Sequence, residues 1–157
     1  MRVEFSGLKV CFRIRSIVKK SIVQTMKFLK QDHRKLVVSV AFLSLEEIRE
    51  LNKQTREFDK ATDVLSYPSF NLEPYQTLDI NENMLYKNRL HLGDMALCLD
   101  KAKEQAKEYD VSLESEVKKL SIHSALHLMG FDHIEDSDYE IMNKAETQIA
   151  NMFLKNI

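Results

Sequence analysis

His123-Ser-Ala-Leu-His127-Leu-Met-Gly130-Phe-Asp-His133 sets three imidazoles at offsets of zero, four and ten, with a glycine at seven. His123 and His127 are one helical turn apart, so both rings leave the same face with Cβ atoms roughly 5–6 Å apart. A pair so placed can reach one ion, since imidazole nitrogens bind zinc at about 2.0–2.1 Å. A third ligand on that helix would need one more turn. Gly130 is the expected helix end instead, because glycine takes a positive φ without a Cβ penalty. The chain then folds back and His133 meets the ion from outside the helix. Three His with no obvious fourth ligand describe an open site rather than a closed structural one. The spacing predicts one zinc per chain, held by His123, His127 and His133.

The same ligand frame, HExxHxxGxxH, occurs in the metzincin proteases, whose general base is the Glu directly after the first His. Ser124 stands at that position. A serine hydroxyl does not accept a proton near neutral pH as a carboxylate does, so the zinc-hydrolase geometry comes without the proteolytic base.

The rest of the chain supplies a scaffold for this helix, expected over Leu113 to Met129 and apolar nearly all round its second half, hence central. Val3 to Phe5 reads as a short strand. Arg13 to Lys30 carries a helical apolar stripe of Ile14, Val18, Ile22, Met26 and Leu29. Leu36 to Leu43 is a β-branched run, hence a strand buried on both faces. Ser44 and Glu47 predict a capping box for a helix with Leu45, Ile48 and Leu51 inward. Asp63 to Tyr67 is a strand stopped by Pro68, and residues 69–91 form a long irregular insertion. Asp94 to Leu99 reads as a strand entered through Gly93. Asp100 then caps a helix from Lys101 to Tyr109, with Ala102, Ala106 and Tyr109 inward. Ser137 and Glu140 predict a capping box for a last helix burying Met142, Ala145, Ile149 and Met152 or Phe153. Strands and helices mix without a βαβ rhythm. The expected fold is α+β: a small, mostly buried mixed sheet packed against helices, with a zincin-like metal helix followed by a glycine turn.

At 157 residues the chain suits one domain, 1–157, with a core that needs no staples. Cys11 and Cys98 match no metal or redox spacing and read as buried small hydrophobes. The N-terminus lacks the apolar segment of a signal peptide, and no apolar run could span a bilayer. A cytoplasmic protein without a membrane partner is expected. The net charge of −1 hides an asymmetry. Residues 1–35 hold ten Lys and Arg against Glu4 and Asp32, a balance of +8, so the remaining 122 residues carry −9. Arg13, Lys20 and Lys27 recur every seven residues on one helix face, which is either solvated or turned towards a polyanion.

Three separated blocks resemble the YbeY family of bacterial endoribonucleases. The family's HGxLHLxGYDH is matched by His123 to His133. NxxYRxxDxPTDVLSFP is matched by Asn52-Lys-Gln-Thr-Arg56 through Asp59 to Thr62-Asp-Val-Leu-Ser-Tyr-Pro68. LGDI is matched by Leu92-Gly-Asp-Met95, and the acidic run Glu135-Asp-Ser-Asp138 also fits. Ser124, Thr55 and Ala61 depart from the pattern, and Tyr67 and Phe131 exchange one aromatic for another. The resemblance implies zinc held by His123, His127 and His133, with Arg56 as the functional cation of the groove. Asp94 is a candidate acceptor for a ligand imidazole N–H, and Asp132 a candidate for orienting the turn. His33 and His91 match no ligand spacing and are expected to be surface residues. It further implies cleavage of single-stranded RNA, 16S rRNA 3′-end maturation and ribosome quality control. The partners implied are rRNA, the small ribosomal subunit and its proteins, not DNA. Arg13, Lys20 and Lys27 would hold flanking phosphates. The rival readings are a non-catalytic, zinc-containing ribosome-assembly factor and a metallopeptidase.

Overall fold

A computed structural model describes residues 1–133 and 135–153; the other five positions of the expected 1–157 domain lie outside the described residues. Four strands form one mixed sheet in the order β1 (Arg2–Gly7), β2 (Leu36–Phe42), β4 (Leu90–Leu97), β3 (Val64–Pro68). β1–β2 and β2–β4 are parallel, and β3 runs antiparallel to β4. Among the described residues five α-helices are present: α1 (Phe12–Phe28), α2 (Leu45–Arg56), α3 (Leu99–Glu108), α4 (Leu113–Leu128) and α5 (Asp136–Met152). The architecture is α+β, as expected.

The period of two along each strand divides the sheet into two faces. Val38, Val40 and Phe42 of β2 and Leu92, Met95 and Leu97 of β4 join the main core with α1, α4 and α5. On the opposite face Leu65, Ala96 and Cys98 form a smaller cluster with Ile48 of α2. α4 packs against α1, α3, α5 and β3, so it is central as its sequence predicts. The insertion between β3 and β4 is irregular but not loose. Phe70, Leu72, Leu78 and Ile80 pack on the main core, and Gln31 bonds the main chain of Gln76 and Leu78.

Several boundaries move. β4 begins at Leu90 rather than Asp94, and Gly93 lies inside it, at a register shift against β2. A Cβ there would lie 2.4 Å from the Tyr67 carbonyl oxygen, so the bulge requires glycine. α3 begins at Leu99 with Cys98 at its cap; Asp100 sits in the first turn and pairs with Lys103. Tyr109 is exposed rather than inward, and so is Leu45, in the first turn of α2. The Ser44–Glu47 capping box forms. The Ser137–Glu140 box does not, because α5 starts two residues earlier, after Glu135. Cys98 is buried as expected, whereas Cys11 is exposed.

Candidate metal centre and active-site cleft

α4 carries two of the three imidazoles and stops where its sequence says. Gly130 N–H donates to His127 O and Phe131 N–H donates to Leu126 O, a Schellman closure around a glycine at φ +83°. Space forces the same residue: a Cβ on Gly130 would overlap the Leu72 carbonyl of the insertion. The insertion therefore braces the turn, with Tyr75 edge-on to Phe131 at 5.0 Å. Asp132 accepts the His133 backbone N–H at 2.8 Å, and His133 returns over the helix. One potential ligand atom from each of His123, His127 and His133 lies within 4.8 Å of the others.

The outer nitrogens decide what this cluster can hold. His123 Nδ1 is 2.6 Å from Glu146 Oε1 of α5, and His127 Nδ1 is 2.8 Å from the Phe131 carbonyl. A carboxylate and a carbonyl only accept, so both Nδ1 atoms carry a proton, and in the neutral rings the Nε2 atoms present the lone pairs. Those Nε2 atoms face each other at 3.1 Å. Two bare lone pairs at that distance repel unless a proton or cation sits between them. Two nitrogens on a tetrahedral zinc are separated by about 3.3 Å. Burial, aided by the neighbouring His123 imidazole, pushes the His127 pKa from 6.5 down to about 4, which keeps this ring neutral. The donor set fits a divalent ion of borderline softness.

Glu146 is the residue the sequence reading missed. It lies beside the inward positions Met142, Ala145 and Ile149 of α5, so its helical position was a usable signal. The role expected for Asp94 does not materialise. Met95 and Leu97 face α4, so the pleat turns Asp94 to the other side of the sheet, where His91 is its ion partner at 3.4 Å. His91, expected to be a surface residue, is exposed and also lies within hydrogen-bond reach of Ser39 and Ser69.

Arg56 ends α2, and Glu57 in the left-handed region turns the chain away after it. The Arg56 guanidinium donates to the Ser66 carbonyl at 3.1 Å and lines one cleft of about 530 Å³ with all three imidazoles. Ser124 is fully buried and does not enter the site; its hydroxyl meets that of Ser66 at 2.6 Å, tying α4 to β3. Thr55 and Tyr67, two departures from the family pattern, meet each other through their hydroxyls at 2.8 Å.

The basic face of α1 lies elsewhere. Arg13 pairs with Glu114. Lys20 and Lys27 line a second cleft of about 870 Å³ with Arg15, Lys19, Phe12 and Phe153. The two clefts share no lining residue, so the structure does not bring Lys20 and Lys27 to the imidazoles.

A family model described as endoribonuclease YbeY matches residues 5–154. A Caldicellulosiruptor bescii protein named endoribonuclease YbeY is 40% identical over 137 residues, covering 87% of this chain and 84% of that one. A Clostridium acetobutylicum protein of the same name is 42% identical over 134 residues, covering 80% and 81%. The solution structure of a Thermotoga maritima protein shares the fold, with a TM-score of 0.55 at 24% identity over 98% of this chain and 93% of that one.

Proposed function

The chain belongs to the endoribonuclease YbeY family, and on that premise we propose that it cuts single-stranded RNA with one zinc ion held by His123, His127 and His133. The observation that carries this reading is the pair of lone-pair-bearing Nε2 atoms at 3.1 Å, each ring fixed through its Nδ1. We read α4, the Gly130 turn and His133 as a zincin-like arrangement in one domain over 1–157. Zinc bound there supplies an activated water and a Lewis acid at a phosphoryl oxygen.

The chain's own residues do the rest. Glu146 and the Phe131 carbonyl hold the two imidazoles in the ligating tautomer. Arg56 keeps one N–H on Ser66 and offers its remaining donors to two oxygens of the scissile phosphate. Asp132 fixes the turn that presents His133. Phosphates further along the RNA fall to Lys20 and Lys27, and to Arg13 once it leaves Glu114, which adds affinity without base recognition. The assigned role is rRNA processing at the 16S 3′ end and ribosome quality control in the cytoplasm, with the small ribosomal subunit as partner.

Zinc-loaded protein is to be offered one RNA sequence as single strand and as duplex, and casein as a control. The expected result is cleavage of the single strand alone. Binding without cleavage would favour an assembly factor, and cleaved casein a peptidase. The product ends report the nucleophile: a 2′,3′-cyclic phosphate marks attack by the RNA's own 2′-hydroxyl.

A further inference from the structure

Resting on the RNA-cleaving reading, we infer that the rim of the histidine cleft is a subsite for the nucleotides beside the cut. Phe58 and Tyr109 stack on unpaired bases there, and Lys119 holds a flanking phosphate.

Phe58, Tyr109 and Lys119 line the same cleft as Arg56 and the three imidazoles. Phe58 is 68% exposed and Tyr109 54% exposed, and neither joins either hydrophobic cluster. Both rings stand at the edge of a cleft whose other walls are largely polar. Neither contributes to the core, and each leaves apolar surface in water.

The rings are mounted on firm supports. Phe58 is two residues beyond Arg56, in a loop fastened back to α2 immediately after it. Asn52 Nδ2 donates to the Lys60 carbonyl at 2.8 Å, and Arg49 pairs with Asp59 at 2.7 Å. Tyr109 caps the end of α3, where Val111 N–H returns to Ala106 O at 2.9 Å. Lys119 lies one turn before His123 on α4, so both side chains leave the same helix face. Its ammonium sits 5.0 Å over the Tyr109 ring and 3.5 Å from a carboxylate oxygen of Glu116. Glu116 is 2% exposed, and that oxygen accepts no hydrogen bond. Glu116 thus tethers Lys119 at the cleft edge and offsets part of its charge. Asp63, the acidic residue lining the cleft, is occupied by Thr62, Gln105 and the Val64 N–H.

Two exposed aromatic faces beside two cations form the pattern that binds single-stranded nucleic acid. Each stacked base is worth about 1–3 kcal/mol irrespective of its identity. Bases in a duplex already stack on their neighbours and cannot use such platforms. The rim therefore selects unpaired RNA without reading sequence.

The test uses the full-length, zinc-loaded protein, a 12-nucleotide single-stranded RNA carrying 2-aminopurine beside the cut, and a dinucleotide. The double variant Phe58→Ala, Tyr109→Ala is expected to raise KM for the 12-mer about tenfold or more. The loss falls in KM rather than kcat, zinc content is retained, and 2-aminopurine quenching disappears. Tyr109→Phe keeps the platform and the quenching. Lys119→Gln is expected to raise KM for the 12-mer and to lower the salt slope by about 0.7. A double variant with wild-type KM and quenching overturns the inference, as does one that loses zinc and kcat together. If the wild type cuts no RNA, the reading beneath it fails and binding alone decides this one. Quenching that the double variant abolishes supports the platforms; no quenching overturns them.

Discussion

The histidine cleft and the basic face of α1 differ in how their charge is assembled. The α1 face is local: Arg15, Lys19, Lys20 and Lys27 come from four turns of one helix and line one groove. The cleft is assembled from the end of α2, the strand β3, the helix α4 and its turn, with Glu146 reaching in from α5. A surface built from one helix can bind a polyanion but has nothing to set against it. A site built from several elements holds groups at opposed positions, which chemistry on a single bond requires. Cutting is accordingly assigned to the cleft, and affinity to α1.

His127→Ala is expected to have the largest effect. It removes a ligand and leaves His123 without its opposed nitrogen, so bound zinc and RNA cleavage disappear together in metal analysis and a cleavage gel. Next comes Arg56→Ala, expected to retain zinc while kcat falls about a hundred- to a thousand-fold, the scale of a lost electrostatic clamp. Equal zinc loss in both variants would move Arg56 from the chemistry to the scaffold. Glu146→Ala frees the His123 ring to change tautomer, and zinc affinity should fall about 10–100-fold by competition with a chelating dye. Unchanged affinity would make that 2.6 Å contact incidental to the metal.

Acid acts on the cleft through His127. Its folded-state pKa of about 4 lies below the ordinary 6.5, so between these values the unfolded chain binds more protons. The metal-free protein should therefore lose stability as pH falls from about 6.5 towards 4, by on the order of 2 kcal/mol after solvent screening. Urea melts of wild type and His127→Ala across that window check it, since the variant lacks the group. The smallest effect is reserved for α1. Reversing Arg13, Lys20 and Lys27 to Glu is expected to raise KM on long RNA with little change in kcat. The salt slope should fall by about two at most, at roughly 0.7 per single-strand contact. A fall in kcat instead would dissolve the division between the two surfaces.

What could be read from the sequence followed how local each signal is. The ends of α1, α3 and α4 show this plainly, because all three close by the same pair of backbone bonds. The left-handed position is Gly130 in α4 but Lys30 in α1 and Asp110 in α3. Only the glycine announces itself, yet α3 and α4 each end one residue before the expected Tyr109 and Met129, and α1, expected to Lys30, ends two residues short, at Phe28. Asp94 was misassigned for a related reason. The side it faces depends on the register at Gly93, and that bulge is set by pairing with β2, outside its own segment. The three clustered imidazoles were legible because a helix and one turn fix their spacing. Glu146 was legible only as a position beside the inward face of α5, because its meeting with His123 depends on how α5 packs on α4.

RNA cleavage at this cleft requires an ion opposite those two Nε2 atoms. Protein stripped by chelation, with removal verified by metal analysis, should lose single-strand cleavage. Activity should then return linearly with added zinc and level off at one equivalent per chain. Cleavage that survives verified stripping, or fails to return with zinc while the fold is intact, would contradict it.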